Sequence, residues 1–268
     1  MTSQREISPA PVASFLGDEH IDEHTYRRIM TDGYLPTTAY MQAGAEALNI
    51  SIDPVTEERW RRMAAATYYI DDFIDTAPDR EEAHALYQAG LNGILDGSID
   101  TTKTTGFSAD HSELLVPSIA LLYNSVADME PSKLEALRAA ALTINDIALE
   151  KSHTEKIQPY AGLLHRETNA TVTLLNLSTH PETLGQPTYE RFQKVTHHAM
   201  KVAVFLDNAI DLREDYKQGI TKVPASAHNM GYLAVQAIQP ARELMRLNGS
   251  FRASWAMARE VRPYVERT

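Results

Sequence analysis

The chain has 268 residues, 43% of them hydrophobic, which is sufficient for one well-buried domain or at most two small ones. Acidic residues outnumber basic ones by 36 to 25, and the net charge of -11 argues against a nucleic-acid surface. Cysteine is absent, which excludes disulfides, thiolate metal sites and cysteine nucleophiles and favours a cytoplasmic location. No apolar run approaches the roughly 20 residues of a membrane span, so we expect no stable membrane insertion.

Apolar residues recur at helical spacing along most of the chain, which predicts an all-α protein. We expect residues 1–20 to form a flexible N-terminal segment and residues 21–268 to form one α-helical domain. The predicted helices span 21–32, 38–48, 54–76, 79–95, 111–128, 132–153, 157–179, 187–218, 229–247 and 252–265. The polar, turn-rich stretch 96–110 separates the first four helices from the rest.

The helix predicted over 54–76 ends in an aspartate-rich stripe. Asp71 and Asp75 lie one turn apart on one face, with Asp72 beside them, and Tyr68 precedes them on that face. Like charges at this spacing repel each other, and the repulsion grows if the face is buried. A divalent cation is therefore expected to compensate them.

The longest predicted helix carries a second acidic stripe. Asp207, Asp211 and Asp215 are spaced i, i+4 and i+8, and so they share one face. They continue an apolar stripe that includes Met200 and Val204. Four basic residues near this stripe are expected to help bind an anion: Lys201, Arg213, Lys217 and Lys222.

Asp71, Asp72 and Asp75 alone are as typical of a solvated helix end as of a metal site. Both stripes follow apolar helix faces and they lie 136 positions apart, so the pair is much less expected from solvated helix ends. We therefore interpret the two stripes together as one metal-dependent site.

The first stripe resembles the DDxxD motif of class I isoprenoid synthases, and the second resembles the distal metal motif of that superfamily. The four-residue spacing of Asp207, Asp211 and Asp215 is that of terpene synthases. The distal motif of squalene and phytoene synthases is also matched at its fixed offsets, by Asp211, Glu214, Asp215, Gly219 and Pro224. In layout the resemblance covers residues 20–250.

This resemblance implies a single-domain helical bundle around a central cavity. Asp71, Asp72 and Asp75 on one wall and Asp207, Asp211 and Asp215 on the other would bind several Mg²⁺ ions, with Mn²⁺ as an alternative metal. The implied substrate is a linear prenyl diphosphate such as geranyl, farnesyl or geranylgeranyl diphosphate. Its ionisation would release pyrophosphate and lead to a cyclic or rearranged terpene.

The resemblance and the carbocation chemistry that it implies assign roles to further residues. Arg166 stands where terpene synthases place an arginine that senses the diphosphate, and with Asp71, Asp75 and Tyr68 it forms the expected catalytic set. The carbocation needs a dry pocket with aromatic faces. The aromatic residues nearest to the stripes are expected to supply some of it: Tyr68, Tyr69, Phe73, Tyr160 and Phe205.

Other functions stay open. The segment from Tyr160 to Thr171 departs from the pattern of squalene and phytoene synthases, which condense two prenyl substrates, but a condensing prenyltransferase is the nearest alternative. A non-catalytic isoprenoid-binding protein and a homodimer also stay open. The Glu-x-x-His spacings of Glu81 with His84 and of Glu150 with His153 occur in di-iron bundles. Both segments are polar around the histidine, which predicts a solvated helix surface instead.

Overall fold

The computed structural model describes residues 41, 45, 48–96, 115, 118–119, 121–122, 125, 131–177, 179 and 184–248. The helices of these residues are α1 (Pro54–Thr76), α2 (Arg80–Asp96), α3 (Pro131–His153), α4 (Ile157–Leu177), α5 (Gln186–Gln218), α6 (Ala227–Gln236) and α7 (Ile238–Asn248). No strand occurs among the described residues, which confirms the all-α prediction. None of the described helices combines the length and the apolar character needed to cross a bilayer.

The bounds of the long helices agree with those predicted from the sequence to within two residues. Helix α1 starts where predicted because Asp53 caps it, accepting hydrogen bonds from Thr56 N at 2.9 Å and Thr56 Oγ1 at 2.7 Å. Pro54 follows at the first helical position, where a missing N–H has no cost.

The single helix predicted over 229–247 is wrong, since two helices, α6 and α7, meet there at Ala237. Pro240 has no N–H to donate to the carbonyl of Gln236, so a continuous helix would lose a hydrogen bond at this point. The segment 1–20 and the helices predicted over 21–32 and 252–265 lie outside the described residues. Most of the helices predicted over 38–48 and 111–128 also lie outside them.

Helices that are neighbours in the chain pack against each other from α1 to α5. Helix α4 also packs against α1, and α5 also packs against α6 and α7. The larger core cluster surrounds Trp60, Phe73 and Phe192, and the second cluster, between α4, α5 and α6, surrounds Phe205 and Leu212.

An aromatic contact ties α1 to α5 near their N-terminal ends. The rings of Trp60 and Phe192 stack with centroids 5.6 Å apart and an interplanar angle of 10°. Trp60 Nε1 also donates a hydrogen bond to Thr179 Oγ1 at 3.0 Å, so the indole is both packed and satisfied while fully buried. This contact fixes the two helices that carry the aspartate stripes at the ends away from the stripes.

Replacing Trp60 by Ala should lower the free energy of unfolding by about 3–5 kcal/mol, because a large cavity would be left in the core and Thr179 Oγ1 would lose the hydrogen bond that it accepts. Urea unfolding followed by circular dichroism would measure the change. Val55→Ala, at an exposed position on the same helix, is the control and should change the value by less than about 0.5 kcal/mol. A similar loss in both variants would contradict the anchoring role of Trp60.

Candidate functional site

One end of the bundle contains a cavity of about 330 Å³ that both aspartate stripes line. The C-terminal ends of α1 and α3, the C-terminal half of α5, the N-terminal part of α2 and the stretch of α4 from Tyr160 to Thr171 form its walls. Its carboxylates on α1 and α5 are Asp71, Asp75, Asp207, Asp211 and Asp215. The structure thus brings together the two groups that the sequence places 136 positions apart.

The cavity has a large excess of negative charge. Glu167 of α4 adds a sixth carboxylate, and the cations among the described lining residues are Arg80 and Lys151. Asp75 and Asp215 also lie in the last turns of their helices, where the helix dipoles add partial negative charge. This arrangement favours bound cations.

The charge and the enclosure raise the pKa values of the α5 aspartates. Burial raises the pKa of Asp207 to about 6, and the neighbouring Asp211 adds to the shift. Burial also raises the pKa of Asp215 to about 6, with contributions from Asp211 and Asp75, and it raises the pKa of Asp211. The Asp207 side chain is open to solvent within the cavity, but protein atoms on several sides remove most of its bulk hydration.

Lys151 is the cation that lies between the two stripes. Its Nζ contacts both carboxylate oxygens of Glu167, at 2.7 and 2.8 Å. Burial opposes its charge, but the attraction of Glu167 outweighs this, so the pKa of Lys151 is raised. Asp71, Asp207 and Asp215 are also within its electrostatic reach. A partly buried cation therefore offsets part of the repulsion between α1 and α5.

Arg80 links the C-terminal ends of the same two helices. Its Nη1 donates to the carbonyl oxygen of Gly219 at 2.8 Å, and its Nη2 donates to that of Asp75 at 3.2 Å. Gly219 ends α5 in the left-handed region, at a φ of 74°, a conformation that glycine adopts without strain. One guanidinium thus satisfies backbone carbonyls from both acidic helices.

Tyr160 and Asn208 form a hydrogen-bonded pair on the wall between α4 and α5. Tyr160 Oη donates to Asn208 Oδ1 at 2.8 Å, and Asn208 Nδ2 donates to the carbonyl oxygen of Val204 at 2.9 Å. Burial raises the pKa of Tyr160 to about 12, so the phenol stays protonated at neutral pH. Tyr160 is the sequence-predicted aromatic residue that lines the cavity.

The other predicted aromatic residues lie elsewhere. Tyr69, Phe73 and Phe205 are buried in the two core clusters, and Tyr68 is 46% exposed with its ring against Tyr69. Phe73 and Phe205 are each two positions from a cavity aspartate, which on a helix points them to the opposite side. Of Asp72, the structure describes the backbone alone.

The basic residues predicted from the sequence do not line the described cavity. Arg166 is exposed and forms an ion pair with Glu150 at 2.9 Å. Lys217 pairs with Glu214 at 3.1 Å on the surface of α5. Arg213 and Lys222 are exposed, and Lys201 is partly buried close to His165 and His197. The cations among the described lining residues are instead Arg80 and Lys151, which the sequence patterns do not indicate.

The prediction that both Glu-x-x-His segments form a solvated surface is wrong for His84. This histidine is 3% exposed and lines the cavity, whereas His153 is exposed and pairs with Glu81 at 3.3 Å. Glu150 is held by Arg166. The two glutamates and two histidines of these segments therefore do not meet at one point, as a di-iron centre would require.

No group of three or more histidine, aspartate or glutamate side chains within the described part of the chain is arranged to hold a metal ion unaided. The carboxylates stand on separate walls of the cavity, and Mg²⁺ commonly takes one or two carboxylates and completes its shell with water and phosphate oxygens. The donor set thus fits metal ions that bind together with a phosphorylated ligand.

The sequence matches no family model, and comparison with curated proteins and with solved structures gave no significant match. The chemistry of the cavity is therefore the basis for a functional conclusion. Its features are the facing carboxylates of α1 and α5, the cations Arg80 and Lys151, and the protonated phenol of Tyr160.

Replacing both Asp207 and Asp215 by Asn should stabilise the metal-free protein at pH 7.5. A carboxyl whose pKa is raised on folding, here from 3.8 to about 6, stabilises the fold at low pH. This contribution is lost as the pH rises through about 6, so at pH 7.5 the two charges oppose folding. We expect the double variant to melt about 2–4 °C above wild type in EDTA, with a smaller gain at pH 5.

Glu214→Gln is the matched control for this comparison. Glu214 is exposed on the same helix, and hydrogen bonds from Lys217 and Gln218 lower the pKa of its carboxyl. It should show no gain at pH 7.5. An equal or greater rise in melting temperature for the control would contradict the account of crowded carboxylates.

Proposed function

We propose that the protein is a Mg²⁺-dependent terpene synthase that ionises a linear prenyl diphosphate, releases pyrophosphate and forms a cyclic or rearranged terpene. The observation that supports this most strongly is the meeting of Asp71 and Asp75 with Asp207, Asp211 and Asp215 on one cavity. These are the stripes whose spacing resembles both metal motifs of class I isoprenoid synthases.

The carboxylates on the two walls would hold the metal ions on either side of a diphosphate. When bound, Mg²⁺ would supply the positive charge that stabilises the departing pyrophosphate. The oxygen-rich lining suits this ion. Mn²⁺ accepts the same donors and is the expected substitute.

The two cations of the cavity would assist the same departure. Lys151 and Arg80 lie on the walls between the aspartates and would place positive charge near the phosphate oxygens. The electron pair of the allylic C–O bond leaves with the pyrophosphate, so no nucleophilic side chain is required. Ile74, Val204 and Ile220 form apolar parts of the lining and would contact the carbon chain next to the diphosphate.

Incubation with Mg²⁺ and each of geranyl, farnesyl and geranylgeranyl diphosphate would test the proposal. Pyrophosphate release and mass spectrometry of the extracted hydrocarbons are the measurements. A cyclic or rearranged product from one substrate supports the synthase, and product that needs a second prenyl substrate indicates a condensing transferase. An absence of release with every substrate and pair would contradict both and favour a non-catalytic isoprenoid-binding protein.

Asp71→Ala and Asp207→Ala should each reduce pyrophosphate release by at least about 100-fold, because each removes a metal ligand from a different wall. Both should stay folded, since the loss of one crowded carboxylate relieves repulsion. Glu190→Gln, at an exposed position of α5 outside both the cavity lining and the distal motif, should retain activity within about twofold. Full activity in either Ala variant would remove that aspartate from the site.

The Arg166→Ala variant tests whether Arg166 has the role that the resemblance implies or the surface position that the structure gives it. The resemblance implies that Arg166 senses the diphosphate, which predicts a large loss of activity. The structure places Arg166 on the surface with Glu150, so we expect pyrophosphate release to change by less than about threefold. A loss of 100-fold or more would mean that Arg166 turns into the cavity when substrate binds.

A further inference from the structure

His84 is a buried titratable group in the cavity that the ionisation step does not use. It lies in the first turns of α2, is 3% exposed and lines the cavity. The charged groups around it are Asp75 from α1, Asp146 from α3 and Arg80 from its own helix. Burial lowers the pKa of His84, so its ring is neutral at neutral pH.

Its hydrogen bonds determine which ring nitrogen carries the proton. Asn145 Nδ2 donates to the backbone carbonyl oxygen of His84 at 3.3 Å. A carbonyl oxygen can only accept, so the amide of Asn145 must have its nitrogen on that side and its oxygen toward the ring. The 2.6 Å contact between Asn145 Oδ1 and His84 Nδ1 therefore requires a hydrogen on Nδ1.

A neutral imidazole with its hydrogen on Nδ1 has a lone pair on Nε2. Within the described residues, no hydrogen-bond donor is bound to Nε2, and the ring faces a cavity that both acidic walls share. The structure thus presents a proton acceptor, oriented by a buried amide, on the lining of the cavity that the proposed substrate would enter.

We propose that His84 is the base that ends the reaction by removing a proton from the carbocation, an inference that rests on the proposed function. The C–H bond next to the cationic carbon breaks and its electron pair forms a C=C bond. The proton moves to Nε2, which gives a neutral alkene and an imidazolium. The imidazolium then returns the proton to pyrophosphate or to water.

The surroundings of His84 suit this role. A C–H bond next to a carbocation is strongly acidic, so a neutral imidazole of lowered basicity is sufficient. The bond from Nδ1 to Asn145 becomes charge-assisted when the ring is protonated, and Asp75 adds attraction. The lowered pKa then favours release of the proton before the next turnover.

The test uses His84→Asn, because the side-chain amide of asparagine can keep the Nδ1 contact with Asn145 while Nε2 is removed. His84→Gln is the second variant and is used if the first does not fold by circular dichroism. His153→Asn is the matched control, since His153 has the same spacing from a glutamate but is exposed and bound to Glu81. Pyrophosphate release and the ratio of alkene to alcohol products are measured with the substrate that wild type accepts.

We expect His84→Asn to release pyrophosphate within about threefold of the wild-type rate, while its ratio of alkene to alcohol falls at least about tenfold. Water would then capture the cation that is no longer deprotonated. The control should change neither quantity. This result would support His84 as a catalytic residue, because a purely structural histidine would lower both products together.

An unchanged product ratio in a folded His84 variant would overturn the inference while leaving the proposed ionisation intact. A raised Mg²⁺ requirement with unchanged products would also overturn it and would make His84 a metal ligand. A wild-type enzyme that forms alcohol alone would count against it in the same way. An absence of pyrophosphate release from wild type would instead contradict the proposed function, and the role of His84 would fall with it.

Discussion

Repulsion among carboxylates at one end of the bundle is the constraint that the rest of the structure must satisfy. Two helices end there with their aspartates facing one cavity, and a third helix adds Glu167. Such a concentration of charge opposes folding unless other contacts hold the helices together. The stacked pair of Trp60 and Phe192 supplies such contacts at the other end of these two helices. The core around Phe205 supplies them beside the charges, between α4, α5 and α6.

Helix α4 supports this arrangement because it packs against both acidic helices. It contributes Tyr160 and Glu167 to the cavity, and through Glu167 it holds the partly buried ammonium of Lys151. Arg80 joins the ends of α1 and α5 by donating hydrogen bonds to a backbone carbonyl oxygen at each. The protein thus provides its own cations for part of the charge and leaves an excess for a ligand.

Much of the fold and the acidic half of the site could be predicted, because both depend on local spacing. The start of α1 follows from Asp53, Pro54 and Thr56, and the stripes follow from the four-residue spacing of the aspartates. The break at Ala237 could have been found too, since Pro240 marks it.

The basic half of the site depends on contacts between distant parts of the chain. Lys151 is bound to a residue on the next helix, and Arg80 reaches a carbonyl 139 positions away. His84 is hydrogen-bonded to an asparagine of α3, and no sequence pattern around the histidine indicates this contact. Phe73 and Phe205 were selected for closeness in sequence, although a shift of two positions turns a helical side chain away from its neighbour.

The left-handed turn at Gly219 restricts which residues can end α5 at this position. Apart from its chain neighbours, none of the described residues lies within 4 Å of the place where a Cβ would stand, so those residues leave room for a larger side chain. The restriction comes from the backbone alone, and there asparagine is tolerated far better than a β-branched residue. Glycine at this position is therefore favoured by the helix ending that it permits, whatever the cavity binds.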